Sequence, residues 1–237
     1  MIIMERKGKC VYFCPAIMAS LSAIWVVLVL EVDVQPIGPQ GSLVGLASIN
    51  AFFFSLLGVN ILWYHITDWL GIAAIMVAMA FAVTGLVQWV SRRDVRKVDR
   101  SILALGAIYV ITIALYVFFE KNVVNFRPII MPGCTKPEAS FPSSHTMIVC
   151  AIMGTAKLEW RRRVSNCRLR RLLEGFSVGI MAVTVIGRSI SGAHWFTDIV
   201  GGILISATFV SLYHAVIAFF AGDQHSRLTT KIRRKSE

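Results

Sequence analysis

Long uncharged runs of apolar residues constrain this chain more than any other feature. Apolar residue types make up 56% of its 237 residues, and its mean hydropathy is +0.69. That is too apolar for a soluble domain of this size. We therefore predict an all-α integral membrane protein, with residues 1–237 forming a single bundle of six transmembrane helices. The runs that are long enough to cross a bilayer lie at about 11–31, 69–90, 102–120, 142–159, 174–193 and 196–221.

The basic residues cluster between these runs. Twenty of the 24 Lys and Arg residues lie in four short segments, 6–9, 92–100, 157–171 and 227–235. The positive-inside rule assigns all four segments, and with them both termini, to the cytoplasmic side of the membrane. The formal net charge of +11 is therefore interpreted as a topology signal, and no nucleic-acid partner is expected.

A seventh apolar run, at about 43–64, conflicts with this topology if it crosses the membrane. A crossing there would put the basic segment 92–100 on the side opposite the N-terminus. We therefore predict that residues 36–64 form an interfacial or re-entrant helical segment on the outer side, between the first and second spans. The four remaining basic residues then lie at the outer end of the bundle; they are Lys121, Arg127, Lys136 and Arg188.

A polar stretch from Gly187 to Asp198 interrupts the last two apolar runs. On a helix, His194 and Asp198 are i,i+4 neighbours and share a face. A carboxylate in that position can hold one imidazole nitrogen and leave the other free as a base or nucleophile. Charged side chains are costly in a membrane, so Arg188, His194 and Asp198 indicate a functional site. A structural ion pair is the alternative interpretation.

Two earlier stretches complete a pattern, Phe126-Arg127-Pro128 and Phe141-Pro142-Ser143-Ser144-His145. Together with the stretch 187–198 they resemble the three signature motifs of the type 2 phosphatidic acid phosphatase (PAP2) superfamily. The family pattern is a lysine followed by Arg-Pro, then Pro-Ser-Gly-His, then Ser-Arg with a histidine six residues later and an aspartate four beyond. The resemblance runs from Lys121 to Asp198 in the family's order. Residues 191–199 resemble in particular the bacterial lipid A phosphatases and phosphotransferases.

Three positions depart from the family pattern. Ser144 stands where the family has glycine, and Gly187 stands where it has the serine before the arginine. The family's lysine usually lies seven residues before its arginine, but Glu120 occupies that register here and Lys121 follows it. One residue rotates a helical side chain by about 100°, so Lys121 depends on a local change of direction to reach the site.

The resemblance implies a division of labour between two histidines. His194, oriented by Asp198, would attack phosphorus and form a phosphohistidine, while His145 would protonate the leaving oxygen and later activate water.

Two prolines place the residues that could bind the phosphate. Pro142 suits the first turn of a helix, whose free amides and dipole favour an anion. Arg127 precedes a proline, which ends the third span near Phe126. The phosphate-binding residues that we predict are Arg127, Arg188, Ser143, Ser144 and Lys121.

The implied function is hydrolysis of a lipid phosphate or diphosphate at the outer leaflet of the cytoplasmic membrane. Undecaprenyl diphosphate, phosphatidic acid, phosphatidylglycerol phosphate and lipid A all fit the family as substrates. Two alternatives stay open, a phosphotransferase that moves phosphate from a polyprenyl diphosphate to another lipid, and a non-catalytic lipid-binding or transport relative. No metal or other cofactor is expected, because the outer-side carboxylates form no clustered motif; they are Asp33, Asp68, Glu120, Glu138 and Asp198.

Overall fold

The computed structural model describes residues 2–131 and 133–236, with side chains described over 11–131 and 133–222, and these residues form seven α-helices. The all-helical prediction is therefore confirmed. In chain order the helices are α1 (Ile2–Glu31), α2 (Ala47–Leu57), α3 (Ile61–Arg92), α4 (Arg100–Lys121), α5 (Ser144–Arg163), α6 (Cys167–Ile190) and α7 (Phe196–Ser236).

Five helices are long and apolar enough to cross a membrane. They are α1 from Val11 onward, α3, α4, α6, and α7 as far as Gly222. Much of their outward surface is apolar and exposed, with side chains such as Phe13 on α1 and Met76 on α3 more than half accessible. That is the surface expected where helices face lipid.

The remaining predicted span, 142–159, coincides with α5, which is too polar to qualify as a membrane-spanning helix by composition. This helix occupies the centre of the bundle and packs against α3, α4, α6 and α7. Because its neighbours surround it, α5 buries Thr146, Thr155 and Glu159 and carries three arginines in its last turn. A high mean hydropathy indicates a helix that faces lipid, so a helix at the centre of a bundle has a lower value. The six membrane crossings remain a prediction.

The segment 36–64 contains a 3₁₀ turn at Pro39–Gly41, helix α2 and the first turn of α3. Helix α2 ends at Leu57, and α3 begins at Ile61, eight residues before the predicted start of the second span at residue 69. The reason is Asn60, whose Oδ1 accepts hydrogen bonds from the Leu62 and Trp63 amides at 3.1 and 3.4 Å and caps the new helix. Helix α2 packs on the start of α7, where the Phe53 and Phe196 rings stack with their centroids 4.1 Å apart.

The contacts define two ends of the bundle. Arg163 pairs with Asp99 at 3.2 Å, which brings the basic segments 92–100 and 157–171 together at one end. At the other end, Trp25 Nε1 donates to the Thr197 carbonyl at 3.0 Å, so the end of α1 meets the start of α7. We call the end that contains Arg163 and Asp99 the basic end. We call the end that contains Thr197 and the start of α7 the site end.

Candidate functional site

The start of α5 provides the first part of the site. The helix begins at Ser144 with Ser143 as its N-cap, so Pro142 precedes the helix instead of opening it as predicted. The Ser143 amide donates to the Asp198 carbonyl at 3.0 Å, which ties α5 to α7. Ser143 Oγ is buried and has no hydrogen-bond partner among the described side chains and backbone. Ser144 is partly exposed beside it.

The loop between α4 and α5 positions Arg127. Helix α4 ends at Lys121, five residues earlier than the predicted end near Phe126. Residues 125–127 instead run antiparallel to 138–140, with Arg127 N donating to the Glu138 carbonyl at 3.0 Å. The Arg127 guanidinium then reaches the Ala193 carbonyl through Nη1 at 3.4 Å. Its Nε lies 3.2 Å from the exposed Glu138 carboxylate but directs no hydrogen bond to any described acceptor.

Asp198 is held at the first turn of α7. Its Oδ2 accepts from the Trp195 backbone amide at 2.9 Å, the reach-back contact of a capping box. A carboxylate at this position is also favoured by the helix dipole. Ser140 Oγ donates to the same oxygen, and Asn125 Nδ2 donates to Oδ1 at 3.2 Å. Three donors therefore fix this fully buried carboxylate.

His194 lies in the turn before α7. The prediction placed it on one helix with Asp198, but the helix begins only at Phe196. His194 Nδ1 is 3.1 Å from both the Oγ and the carbonyl oxygen of Ser140 and 4.0 Å from Asp198 Oδ2. Asp198 therefore acts on the ring largely through Ser140. Nε2 is buried and has no hydrogen-bond partner within the described part of the chain.

The surroundings keep the His194 ring neutral. Burial, followed by the positive charges of Arg127 and Arg188 and the nearby His145, lowers the pKa of His194 well below its usual value. With Nδ1 donating its proton to Ser140, Nε2 carries a free lone pair. A neutral imidazole with one held and one open nitrogen is the state that a nucleophile requires.

Arg188 and His145 meet on the other side of the site. Arg188 is fully buried at the end of α6, and its guanidinium lies over the Tyr64 ring at 4.6 Å. Its Nη2 donates to Asp68 Oδ1, while Nε is buried with no partner among the described groups. The same Asp68 oxygen lies 3.1 Å from His145 Nε2.

Of the predicted residues, Lys121 is the one that the structure places apart. It is exposed in the last turn of α4, and the cleft beside Arg127 and His194 is lined by Glu120 instead. The register argument explains this placement, because the helix continues through Lys121 with no change of direction before it. The other seven predicted residues surround one small region at the site end; they are Arg127, Ser143, Ser144, His145, Arg188, His194 and Asp198.

The departure at Gly187 has a packing cause. A Cβ at this position would lie 2.6 Å from Thr67 Cγ2 and 2.9 Å from the Trp63 ring, so α3 presses directly against α6 here. Glycine is required for that approach. The turn that follows contains Gly192 at a φ of +71°, whose missing side chain lets the Gly58 carbonyl approach.

Three polar residues of the site were not predicted as site residues: Asp68, Asn125 and Ser140. Asp68 carries a usable signal, because a carboxylate beside an apolar run is costly unless it is paired. Asn125 and Ser140 carry none, since both lie in a loop of ordinary polar composition. Among the described residues, no group of three or more His, Cys, Asp and Glu side chains is arranged to hold a metal ion.

Comparison with known proteins agrees with this arrangement. The sequence profile of the PAP2 superfamily matches residues 101–220, which is more than half of the chain. The chain belongs to the PAP2 superfamily. The resemblance predicted from the three motifs is thereby confirmed, and the matched range contains all eight predicted site residues.

A solved structure shares the PAP2 fold of this chain. The crystal structure of a transmembrane PAP2-type phosphatidylglycerolphosphate phosphatase from Bacillus subtilis superposes with a TM-score of 0.61 and 14% sequence identity. The alignment covers 89% of this chain and 97% of that chain. At this identity the likeness is one of fold. No curated protein sequence matches the chain.

Proposed function

We propose that this protein is an integral-membrane phosphatase that hydrolyses a lipid phosphate or diphosphate through a phosphohistidine on His194. The observation that carries the proposal is the open Nε2 of His194, buried with no described partner while Nδ1 is held by Ser140. Membership of the PAP2 superfamily supports phosphatase chemistry.

The charge of the site supports a phosphoryl group as the substrate. Arg127 and Arg188 each have a buried Nε that makes no described hydrogen bond, and Ser143 adds a hydroxyl at the start of α5. A helix N-terminus with two guanidinium groups balances the charge on the equatorial oxygens during phosphoryl transfer. No metal ion is needed for that balance.

The proposed reaction has two steps. In the first, the Nε2 lone pair of His194 forms a bond to phosphorus as the bond to the leaving oxygen breaks, and His145 gives that oxygen a proton. In the second, His145 takes a proton from water as the water oxygen attacks phosphorus. The P–N bond then breaks, and inorganic phosphate leaves a neutral His194.

Apolar side chains beside His194 favour a lipid over a soluble phosphate ester. Phe53, Phe54, Leu57, Trp195 and Phe196, together with Ser189, surround a small pocket of about 10 Å³ between α2 and the start of α7, and their apolar surface lies next to the His194 ring. A chain of methylene groups is stabilised on such a surface by about 0.8 kcal/mol for each buried CH₂. The Bacillus subtilis protein of the same fold acts on a phospholipid phosphate, which fits this class of substrate.

The experiment is a phosphate-release assay with protein purified in detergent. The substrates are phosphatidic acid, phosphatidylglycerol phosphate, undecaprenyl diphosphate and lipid A. Release from at least one of them, unchanged by EDTA, is expected. Loss of activity on chelation, with recovery on adding a divalent ion, contradicts the metal-independent mechanism. Transfer of the phosphate to a second lipid in place of water identifies the protein as a phosphotransferase.

We also propose that the site faces the outer side of the cytoplasmic membrane. The basic segments 92–100 and 157–171 lie together at the opposite end of the bundle, and such segments stay in the cytoplasm. Cys134 is exposed in the loop at the site end. With the other cysteines replaced, an impermeant thiol reagent should label Cys134 in intact cells. Labelling that requires permeabilised cells reverses the orientation.

A further inference from the structure

A carboxylate from outside the three motifs contacts the residues of the site. Asp68 lies in the second turn of α3, and its side chain is 35% exposed. Its Oδ1 accepts a hydrogen bond from Arg188 Nη2 and lies 3.1 Å from His145 Nε2. A single oxygen therefore joins the end of α6 to the start of α5.

The face of α3 is shaped for these contacts. Tyr64, Asp68 and Gly71 follow at spacings of four and three residues, so they share one side of the helix. The Tyr64 ring supports the Arg188 guanidinium. Gly71 leaves room for the other partner, because a Cβ there would lie 3.1 Å from His145 Cδ2. One helix thus provides the surface for both a phosphate-binding arginine and the proposed general acid.

We infer that Asp68 is a positioning residue that holds His145 and Arg188 in place for phosphoryl transfer. The inference rests on the proposed function. The carboxylate holds His145 through Nε2, which leaves Nδ1 to exchange the proton with the leaving oxygen and then with water. It also holds Arg188 through Nη2, which leaves the buried Nε free for the phosphate. Asp68 itself neither gains nor loses a proton.

The two histidines are then held in opposite ways. His194 is fixed through Nδ1 by Ser140 and exposes Nε2 to phosphorus. His145 is fixed through Nε2 by Asp68, from a helix that carries no family motif. Each imidazole needs an orienting acceptor, because an unheld ring loses the alignment that proton transfer or attack requires.

The test compares two lipids that share a diacylglycerol chain but differ in leaving group. Phosphatidic acid must expel an alkoxide, which needs a proton, whereas diacylglycerol pyrophosphate expels a phosphate, which needs it far less. For Asp68→Asn we expect kcat on phosphatidic acid to fall roughly 10- to 100-fold, the range of a weakened general acid. The fall on the pyrophosphate should be several times smaller, and KM should change less than kcat on both.

Two controls separate positioning from a general structural role. Asp33→Asn removes a carboxylate at the same end that bonds to Gln35 and the Ser48 amide rather than to the site cations. It should leave the ratio of the two rates unchanged. In a His145→Ala background, Asp68→Asn should no longer change the ratio of the two rates, because only its effect through Arg188 remains and that effect acts on both lipids alike.

The outcomes distinguish this inference from the proposed function. If the wild-type protein releases phosphate neither from these two lipids nor from the other lipids of the substrate panel, the proposed function fails. If it hydrolyses only another lipid of the panel, the monophosphate and diphosphate forms of that lipid replace this pair. If the wild type is active and Asp68→Asn is as fast or faster, or is slowed equally on both lipids, the positioning role is wrong. Should the Asn variant fail to give monodisperse protein, Asp68→Glu replaces it. Asp68→Glu keeps the negative charge but displaces the carboxylate oxygen from His145 and Arg188. The ratio of kcat on the two lipids then tests the positioning role in the same way.

Discussion

Two buried charged clusters lie at opposite ends of the bundle and differ in how completely they are paired. At the basic end, Glu159 is fully buried, and its oxygens accept from Tyr213, Ser101, Arg162 and Arg163. At the site end, four buried polar atoms of the motif residues have no hydrogen-bond partner within the described residues. They are Arg127 Nε, Ser143 Oγ, Arg188 Nε and His194 Nε2.

The difference separates a structural cluster from a functional one. Buried polar groups are nearly always hydrogen-bonded, and each one left open costs about 1–3 kcal/mol. Under the proposed function, the three open donors on Arg127, Arg188 and Ser143 would bind the oxygens of a phosphoryl group, and the open Nε2 lone pair of His194 would attack its phosphorus. The Glu159 cluster needs no ligand, because its own side chains complete it.

The largest expected effect at the site end is that of His194→Ala. Removing Nε2 should abolish phosphoenzyme formation and turnover, because Nε2 is the proposed nucleophile. Thermal stability in detergent is measured beside activity, because the variant also loses the Nδ1 contacts with Ser140 and leaves a cavity in place of the buried ring. His214→Ala, an exposed histidine of α7, is the control and should keep full activity. Radiolabelled phosphate trapped on the His194→Ala protein contradicts the assignment.

The largest expected effect at the basic end is on stability. Glu159→Gln removes the charge of a fully buried carboxylate that accepts from Arg162 and Arg163. Because both guanidinium groups are partly exposed and Arg163 keeps Asp99 as a partner, we expect a loss of about 1–3 kcal/mol. Thermal unfolding in detergent measures this loss, while kcat per folded molecule should stay near that of the wild type. Glu174→Gln breaks the more exposed pair with Arg161 and should cost less stability than Glu159→Gln. A loss of kcat in Glu159→Gln without a loss of stability contradicts the comparison.

The sequence predicts the site end well where residue chemistry is unusual for its surroundings. Five polar or charged residues lie in or beside apolar runs, and the structure brings all five together. They are Arg127, His145, Arg188, His194 and Asp198. The all-helical class and five of the membrane-spanning helices also follow from composition. These predictions use only local information.

The predictions that fail depend on contacts between distant segments. Nothing near Ser140 in the sequence indicates that its hydroxyl will lie between His194 and Asp198. The central position of α5 is likewise invisible to hydropathy, because the other helices and not lipid surround it. The start of α3 at Ile61 is a local exception, because an apolar run does not show where the Asn60 cap divides it.

A smaller effect on kcat is expected for Ser140→Ala, which removes a hydroxyl whose contact with His194 the sequence did not indicate. The hydroxyl transmits the charge of Asp198 to His194, but the Ser140 carbonyl remains 3.1 Å from His194 Nδ1 and continues to orient the ring. We expect kcat to fall about tenfold, below the 10²- to 10⁴-fold expected for Asp198→Asn. Ser206→Ala, a buried serine of α7 that bonds within its own helix, is the control. Equal losses for Ser140→Ala and Asp198→Asn would mean that the carbonyl does not hold the ring.

The smallest effect is expected for Lys121→Ala, which tests whether the family's first lysine has an equivalent here. Lys121 is exposed at the end of α4, and Glu120 faces the cleft beside Arg127. Since an exposed charge near a site is screened by water and salt, kcat/KM should change by less than about twofold. Arg127→Ala is the matched comparison and should cost roughly a hundredfold, because Arg127 is a proposed phosphate-binding residue whose guanidinium reaches the Ala193 carbonyl beside His194. A loss in Lys121→Ala close to that of Arg127→Ala would show that the end of α4 rearranges when the phosphate binds.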